Sequence, residues 1–424
     1  MNERAKSAVH SVKGTRDLLP PDTALWAGVE ATARRVFSAY GFEEIRTPIL
    51  EQTELFVRGV GEDTDIVGKE MYTFADKKGR SLTLRPENTA AVARAFIEHG
   101  MQSWPSPVRL FYIGPQFRYE RPQKGRYRQF SQIGAELIGD AGPGTDGELL
   151  LMLMRFLRAL GFTELTVLLN TVGDEASRGR YREALVSYLM PFKDQLGEDS
   201  RRRLESNPLR ILDTKLASER ELLAGAPKLA DYLSTESRDH FNAIVATLEL
   251  AGIRYRIEPK LVRGLDYYTR TVFEIVAEGL GAQDAIVGGG RYDGLLADLG
   301  GSDLPAIGFA IGEDRLIDVL PAEGRRRYSK DPPLVVVAAG EVPGDQVLLV
   351  AEELRSAGLE VVTEPGGRAL GTALRRAAKN GARFAVLIGE EELARGDLTV
   401  RDLENGRQER CERGEVSRWL EEWR

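Results

Sequence analysis

Residues 129–138 read Gln129-Phe130-Ser131-Gln132-Ile133-Gly134-Ala135-Glu136-Leu137-Ile138. Side chains alternate across a strand, so Ile133, Ala135 and Leu137 share one face, and Phe130, Gln132, Gly134 and Glu136 share the other. The first face is apolar and suits packing on helices. The second carries an aromatic ring, an amide, a carboxylate and a glycine that leaves room. A strand buried on both faces would read as a near-continuous apolar run instead. The pattern suits an antiparallel sheet that floors a pocket, and it equally suits a solvated antiparallel face. The partner strand is expected to carry Phe117-Arg118-Tyr119-Glu120, with Arg118 and Glu120 on one face. Between the strands lies Arg121-Pro122-Gln123-Lys124-Gly125-Arg126-Tyr127-Arg128, with four cations, an amide and an aromatic in eight residues. Such a loop suits phosphates, and its Gln and Arg side chains can read base edges. A solvated basic hairpin accounts for the same composition.

Working outward, the periodicity predicts a helix over 25–40, stopped by Gly41, then an extended segment over 42–50 bent by Pro48. Strands follow over 71–74 and 81–85, a helix from Asn88, a helix over 146–160 and a strand over 165–169. From 171 to 251 the strand alternation gives way to Arg-, Glu- and Leu-rich helical spacing, read as a helical insertion. Strands resume at Tyr255. Gly288-Gly289-Gly290 then leads into Arg291-Tyr292-Asp293-Gly294. Residues 321–333 read as a charged, proline-bounded linker, with the boundary proper at 326–333. After it, strands alternate with helices over 334–424, which predicts a separate α/β domain with mostly parallel strands. There, Arg375, Arg376 and Lys379 share one helical face opposite an alanine- and leucine-rich stripe. An ordinary solvated face explains that pattern by itself.

A chain of 424 residues predicts two to three domains, and 42% hydrophobic residues supply a real core. A net charge of -7 means that any RNA contact must come from local basic patches. A single cysteine, Cys411, leaves no disulfide framework or cysteine metal cluster and fits a reducing cytosol. The polar start, residues 1–13, shows no signal peptide, and the longest apolar run, 149–154, is far short of a membrane span. A cytoplasmic protein without membrane association is expected. The triple glycine matches neither GxGxxG nor GxxxxGK[ST], which argues against a Rossmann or P-loop site and for close backbone packing at a pocket wall. His10, His99 and His240 are scattered, and nothing marks them as metal ligands.

Three blocks in order then give the chain a resemblance. Phe117-Arg118-Tyr119-Glu120, Val262-Arg263-Gly264-Leu265-Asp266-Tyr267-Tyr268-Thr269-Arg270 and Gly308-Phe309-Ala310-Ile311-Gly312-Glu313-Asp314-Arg315 resemble the motifs of the histidyl-tRNA synthetases of bacteria. The likeness covers nearly the whole chain. Residues 13–20 resemble the family's N-terminal segment. Residues 41–50, 111–138 and 306–316 look like the three class II motifs, and 261–269 and 289–294 like the histidine-specific blocks. Ser131 stands where many members carry His, and Asn88 where some carry Gly.

The resemblance implies an α+β class II catalytic domain over 1–325, an antiparallel sheet flanked by helices. It also implies a helical insertion over 171–251 and a C-terminal α/β anticodon-binding domain over 334–424. It implies that Arg118 holds the α-phosphate and amino-acid carboxylate and Glu120 the adenine edge. Phe130 and Arg315 would sandwich adenine, and Arg126 would reach the terminal phosphates. Glu87 and Thr89 would take the substrate ammonium and Gln132 its backbone. Glu136 and Tyr268 would bond the two imidazole nitrogens, with Tyr267 and Tyr292 lining that pocket. Arg263 would stabilise charge on the α-phosphate during attack. Arg121, Gln123 and Lys124 would meet the acceptor end of histidine tRNA, and Arg375, Arg376 and Lys379 the anticodon. The implied substrates are L-histidine, ATP with Mg²⁺, and tRNA, and the implied assembly is a homodimer. Two other readings compete. One is a non-aminoacylating paralog that regulates ATP phosphoribosyltransferase, although such paralogs typically lack the C-terminal domain and degrade the Arg263 block. The other is a class II synthetase for another amino acid, which should lack residues 261–269.

Overall fold

The computed structural model describes residues 9–61, 64–121, 126–214, 216–261, 267–277, 285–329, 332–364 and 369–423. Arg263, Gln123 and Lys124 lie outside the described residues. The chain forms two compact units, Met1–Ser329 and Lys330–Arg424.

In the first unit the strands are β1 Glu43–Glu44, β2 Leu50–Gln52, β3 Tyr72–Ala75, β4 Ser81–Leu84, β5 Val108–Phe117, β6 Gln129–Ile138, β7 Leu165–Thr171, β8 Tyr255–Ile257, β9 Thr269–Ala277, β10 Ala285–Arg291 and β11 Ala306–Gly312. The helices are α1 Asp22–Ser38, α2 Thr53–Val60, α3 Thr89–Glu98, α4 Pro143–Ala159, α5 Glu175–Leu189, α6 Glu198–Ser206, α7 Ala217–Leu223, α8 Thr235–Leu250, α9 Leu295–Asp298, α10 Glu313–Asp318 and α11 Ala322–Tyr328. The main sheet runs β1-β5-β6-β11-β10-β9-β7-β8. It is antiparallel except for its outermost pairs, β1 with β5 and β7 with β8. This is the expected α+β architecture. β2, β4 and β3 form a separate three-stranded sheet.

The alternation in β6 is used as its sequence implies. Ile133, Ala135 and Leu137 are buried with Ile307, Phe309 and Ile311 of β11 against α1 and α4. Phe37 of α1 lies 5.6, 5.3 and 5.8 Å, ring centre to ring centre, from Phe111, Phe156 and Phe309. Each buried side chain of this kind stabilises the fold by about 1.5–3 kcal/mol. α4 starts with Pro143, whose fixed φ suits a first helical turn. Its run Leu149, Leu150, Met152 and Leu153 is buried all round because α1 packs on one side and α8 on the other.

The opposite face of the sheet is held open by small residues. Across the strands, Gly308 pairs with Glu136 and with Gly290, and Ala310 pairs with Gly134 and with Gly288. A Cβ on Gly308 would lie 1.7 Å from Glu136 Oε2, so only glycine leaves that carboxyl its place. The glycines of β10 thus pack closely at the site face, as the sequence suggested.

Three boundaries differ from expectation. β5 ends at Phe117, so Arg118 and Glu120 lie just beyond the strand. The ladder stops there because the Tyr119 N–H turns to the Glu70 carbonyl at 2.7 Å. The helical insertion has its own core of Tyr181, Leu185, Leu189, Leu204, Ile211 and Leu223. However, α8, placed in the insertion by sequence, sends Ile244 and Leu248 into the main core. Helical periodicity shows that a helix has an apolar face, not which core that face enters. The segment expected as linker contains α11, whose Tyr328 packs on Gly28 and bonds Thr32 Oγ1 at 2.7 Å.

The second unit contains β12 Leu334–Ala338, α12 Gly344–Ser356, β13 Val361–Thr363, α13 Leu370–Lys379, β14 Phe384–Ile388, α14 Glu390–Arg395, β15 Asp397–Asp402, β16 Gln408–Glu412 and α15 Val416–Trp423. The sheet order is β13-β12-β14-β15-β16. Only β12 with β13 and with β14 is parallel, so the sheet is mixed rather than mostly parallel. β15 and β16 are antiparallel because their connection, Leu403 to Arg407, is too short to span a parallel crossover. Ala373, Leu374 and Ala377 of α13 are buried, and Arg375, Arg376 and Lys379 are exposed. Cys411 is buried in β16.

Candidate active site

The open face of the main sheet divides into two parts. At the outer ends of β6, β10 and β11 lies a cleft of about 360 Å³. Its walls bring together Arg118, Glu120, Arg126, Phe130, Gln132 and Arg315, residues spread over nearly two hundred positions of sequence. Arg118 Nε donates to the Pro86 carbonyl at 2.8 Å, and its guanidinium sits 5.3 Å from the Phe130 ring centre. Glu120 lies between two cations, 3.3 Å from Arg126 Nη1 and 4.0 Å from Arg118 Nη1. Gln132 Oε1 is buried without a hydrogen-bond partner among the described residues. A buried acceptor of this kind favours a ligand that brings a donor. The cleft therefore offers an aromatic face, planar cations and an unmet acceptor, which suits a planar ring bearing anionic groups.

The second part is closed. α3 and α9 cover it, with Val92, Phe96 and Leu295 packed around Tyr112, Tyr267 and Tyr292. Within it Glu136 is 1% exposed. Thr89 Oγ1 donates to its Oε1 at 2.7 Å, and the Tyr292 hydroxyl donates to its Oε2. The rings of Tyr267 and Tyr268 are 4.7 Å apart, and those of Tyr267 and Tyr292 are 5.5 Å apart. Burial pushes the Glu136 carboxyl up to about 8, against the lowering by the Tyr292 and Thr89 bonds. Glu87 is also buried. Its oxygens accept from the Thr89 N–H at 2.7 Å and the Ala90 N–H at 3.0 Å, capping the start of α3. Burial raises its carboxyl too. Two carboxyls and several phenols buried together suit a small ring with polar nitrogens and an adjacent cation.

The remaining residues singled out by sequence fall elsewhere. Arg121 is exposed at the edge of the basic loop. Arg375, Arg376 and Lys379 belong to the second unit, where Arg376 pairs with Glu364 at 3.5 Å.

Several supporting residues were not singled out. Arg85 is buried. Its Nε donates to the Pro115 carbonyl at 3.0 Å and its Nη1 to the Thr47 carbonyl at 2.8 Å, pinning the 42–50 segment to β5. Arg16 bonds Asp314 Oδ1 at 2.6 Å, and the Ser131 N–H bonds Asp314 Oδ2 at 2.8 Å, which fixes α10 against β6. Arg291, beside Tyr292 in sequence, points away from the pocket and is fully buried against Asp146. Asp146 also accepts from Thr271 Oγ1 at 2.6 Å and lies 2.9 Å from His240 Nε2. Although burial opposes it, the bonds from His240 and Arg291 hold the Asp146 carboxyl below its usual value. The available signal for this group was a lone arginine at the end of a glycine strand, since a charge in such a place requires a buried partner. Among the described residues, no group of three or more His, Cys, Asp or Glu side chains could hold a metal ion.

Comparisons with known proteins agree with this geometry. A family profile described as Histidyl-tRNA synthetase matches residues 14–316, and one described as Anticodon binding domain matches residues 334–423. The chain is 47% identical over 418 residues to the histidine–tRNA ligase of Synechococcus elongatus, covering 99% of this chain and 96% of the relative. It is 49% identical over 396 residues to that of Nitrosomonas europaea, covering 93% and 94%. The crystal structure of the apo histidyl-tRNA synthetase of S. aureus superposes with a TM-score of 0.81 at 36% identity, covering 97% of this chain and 99% of that one. A closed carboxyl–phenol pocket beside an open cationic cleft, on a sheet of this order and with matches of this extent, is that of a known lineage: the chain belongs to the histidyl-tRNA synthetase family.

Proposed function

We infer that the chain activates L-histidine with ATP to give histidyl-adenylate and pyrophosphate, and then transfers the histidyl group to the 3′ end of histidine tRNA. The observation that carries this reading is the buried Glu136, held between Thr89 and Tyr292 next to the Arg118–Phe130 cleft. In the first step a histidine carboxylate oxygen attacks the α-phosphorus of ATP, and pyrophosphate leaves with the bonding pair. In the second, a ribose hydroxyl of the terminal nucleotide attacks the carbonyl carbon. AMP leaves, and the hydroxyl proton passes to a phosphate oxygen or solvent. Neither step needs a protein nucleophile.

In this reading Arg118 bridges the α-phosphate and the histidine carboxylate, and Gln132 Oε1 accepts from the substrate backbone. Arg263 adds charge stabilisation at the α-phosphate. Phe130 and Arg315 take the two faces of adenine, while Glu120 takes its exocyclic amine. Arg126, paired with Glu120 here, swings to the terminal phosphates once adenine competes for that carboxyl. Glu87 and Thr89 face the ammonium, and Glu136 and Tyr268 the imidazole nitrogens, with Tyr267 and Tyr292 packing the ring. Glu136 is well suited because a carboxyl near 8 can give a proton to a bare ring nitrogen or accept from an N–H. Mg²⁺ arrives as part of the ATP substrate, held by phosphate and water. Arg121, Gln123 and Lys124 serve the acceptor end, and Arg375, Arg376 and Lys379 the anticodon.

The domain assignment follows, with the expected boundary at 325 moved past α11: a catalytic domain over 1–329 with a helical insertion, and an anticodon-binding domain over 334–424. A homodimer is supported by the exposure of Ile49 and Leu50, within the segment that resembles the class II interface motif, and of Phe74 in the neighbouring three-stranded sheet. The location is the cytoplasm, where tRNA is charged, and among the described residues no helix is long and apolar enough to cross a membrane. The regulatory-paralog reading has less support, because the relatives named histidine–tRNA ligase match over nearly the whole chain.

ATP–pyrophosphate exchange tested with each standard amino acid decides the matter. Exchange with histidine alone is expected. Exchange with a different amino acid, or with none, overturns the reading.

A further inference from the structure

The insertion is rooted in the sheet by two chain passages, one leaving β7 and one returning into α8. Asp174 ties them together. It accepts from the Ser177 N–H at 2.7 Å, from the Ser237 hydroxyl at 3.0 Å and from the Ser234 hydroxyl. The Ser234 N–H in turn donates to Ser177 Oγ at 2.9 Å. α5 and α8 therefore start from one hydrogen-bonded ring, and burial is outweighed by these hydroxyl and N–H bonds in holding the Asp174 carboxyl far below its usual range.

From this ring the insertion reaches the tyrosine pair. Arg178, in the first turn of α5, donates from Nη1 to the Tyr268 carbonyl at 2.8 Å. Glu236, in the first turn of α8, bonds Arg270 Nη2 at 2.7 Å. Arg270 has φ +48°, the only positive φ at a non-glycine among the described residues. Side-chain-bearing residues adopt that backbone only where their surroundings impose it. Here the β9–β10 register shifts beside Arg270, and its N–H is taken by the Gly173 carbonyl at 2.8 Å. The chain leaving Tyr268 is thus bent, and the bend is held from the insertion side. The Tyr268 ring itself packs on Gly290, where an added Cβ would lie 2.8 Å from it.

We propose that Arg178 is a positioning residue for the amino-acid pocket: from the insertion it fixes the Tyr268 backbone, and through it the tyrosine pair that closes over histidine. The sheet supplies Glu136, but the opposite wall is set by a helix that belongs to another core. The proposal rests on the reading of Tyr268 as a histidine contact. It gives the insertion a part in amino-acid binding that is separate from any contact with RNA.

The test uses the full chain in ATP–pyrophosphate exchange. Arg178→Met keeps the apolar stem and removes the donor. It is expected to raise KM for histidine about ten-fold, the effect of losing one bond from a charged donor, with KM for ATP and the melting temperature unchanged. Arg178→Lys, which can still donate to a carbonyl, recovers most of that loss. Tyr268→Phe serves as the control on the pocket, since it removes the phenol and leaves the carbonyl in place. If Tyr268→Phe raises KM for histidine while Arg178→Met leaves it unchanged, or raises both KM values together, the positioning role is overturned and the pocket stands. If Tyr268→Phe leaves KM for histidine unchanged, the pocket reading fails and the proposal falls with it.

Discussion

Strand β6 carries Phe130 and Gln132 at one end and Glu136 near the other, yet the two ends do opposite things with charge. At the outer end Glu120 sits between Arg118 and Arg126, and its charge is met by theirs. At the inner end the partners of Glu136 are hydroxyls, and burial pushes its carboxyl up to about 8. The difference comes from cover rather than from residue type. α3 and α9 seal the inner end with Val92, Phe96 and Leu295, while the outer end faces the cleft. A half-buried carboxylate at a cleft wall, already held by arginines, can be traded to a ligand at small cost. A buried carboxyl without a cation discriminates, because a ligand that fails to bond it leaves it unsatisfied.

The sharpest way to break this comparison is to unbalance the buried charge behind the pocket. Asp146→Asn leaves Arg291 fully buried with its main anionic partner gone. It should destabilise the fold by about 3–5 kcal/mol. Urea unfolding of the variant checks this, and a loss below about 1 kcal/mol would show that Asp293 and the neighbouring carbonyls suffice. Next in size is Glu136→Ala, expected to lower kcat/KM for histidine in pyrophosphate exchange by ~100- to 1000-fold, with a much smaller change in KM for ATP. Equal changes in both would place Glu136 in the scaffold and erase the contrast between the two ends.

A third, smaller effect follows pH. Glu313 is fully buried, and burial pushes its carboxyl up to about 8 from an ordinary 4.5. Between those values the folded state keeps a proton that the unfolded state has released. Its contribution to stability therefore falls as pH rises from 4.5 to 8 and levels off above. Glu313→Gln removes that dependence, so its gain over the parent should grow with pH across the window, by at most about 1.4 kcal/mol per unit. Unfolding at pH 5.5 and 7.5 measures it, and an equal gain at both would mean that the carboxyl is already ionised. The smallest effect belongs to the exposed face of α13. Replacing Arg375, Arg376 and Lys379 together by Ala should leave exchange and stability unchanged, because exposed pairs contribute little. It should weaken tRNA charging and flatten its salt dependence by a slope of about two to three. Unchanged charging at every salt concentration would remove these residues from the RNA surface.

Much of the fold was legible because periodicity reports burial directly. The apolar face of β6, the helices α1 and α4 and the restart at Leu334 follow from alternation and spacing alone. The cleft residues were also within reach, because they cluster in short blocks around Arg118, Phe130 and Arg315. Less accessible was anything that depends on which core an amphipathic element enters. α8 looks like part of the insertion and packs with the main core. α11 looks like a linker and packs on α1. The Asp146–His240–Arg291 group was only partly legible: Arg291 at the end of a glycine strand calls for a buried partner, but nothing local names Asp146 or His240, because the group spans about one hundred and fifty positions.

The sequence by itself determined the strand faces, the glycine-lined floor, the restart of the second unit and the residue types available for chemistry. Those are local properties of alternation, φ preference and side-chain identity. Only the tertiary structure decided that Glu136 is sealed while Glu120 is open, and that Glu87 caps a helix while facing the pocket. It likewise decided that the wall at Tyr268 is held from the insertion by Arg178. Those outcomes depend on desolvation and on bonds between distant segments, and both are set by what covers a residue rather than by its neighbours in the chain.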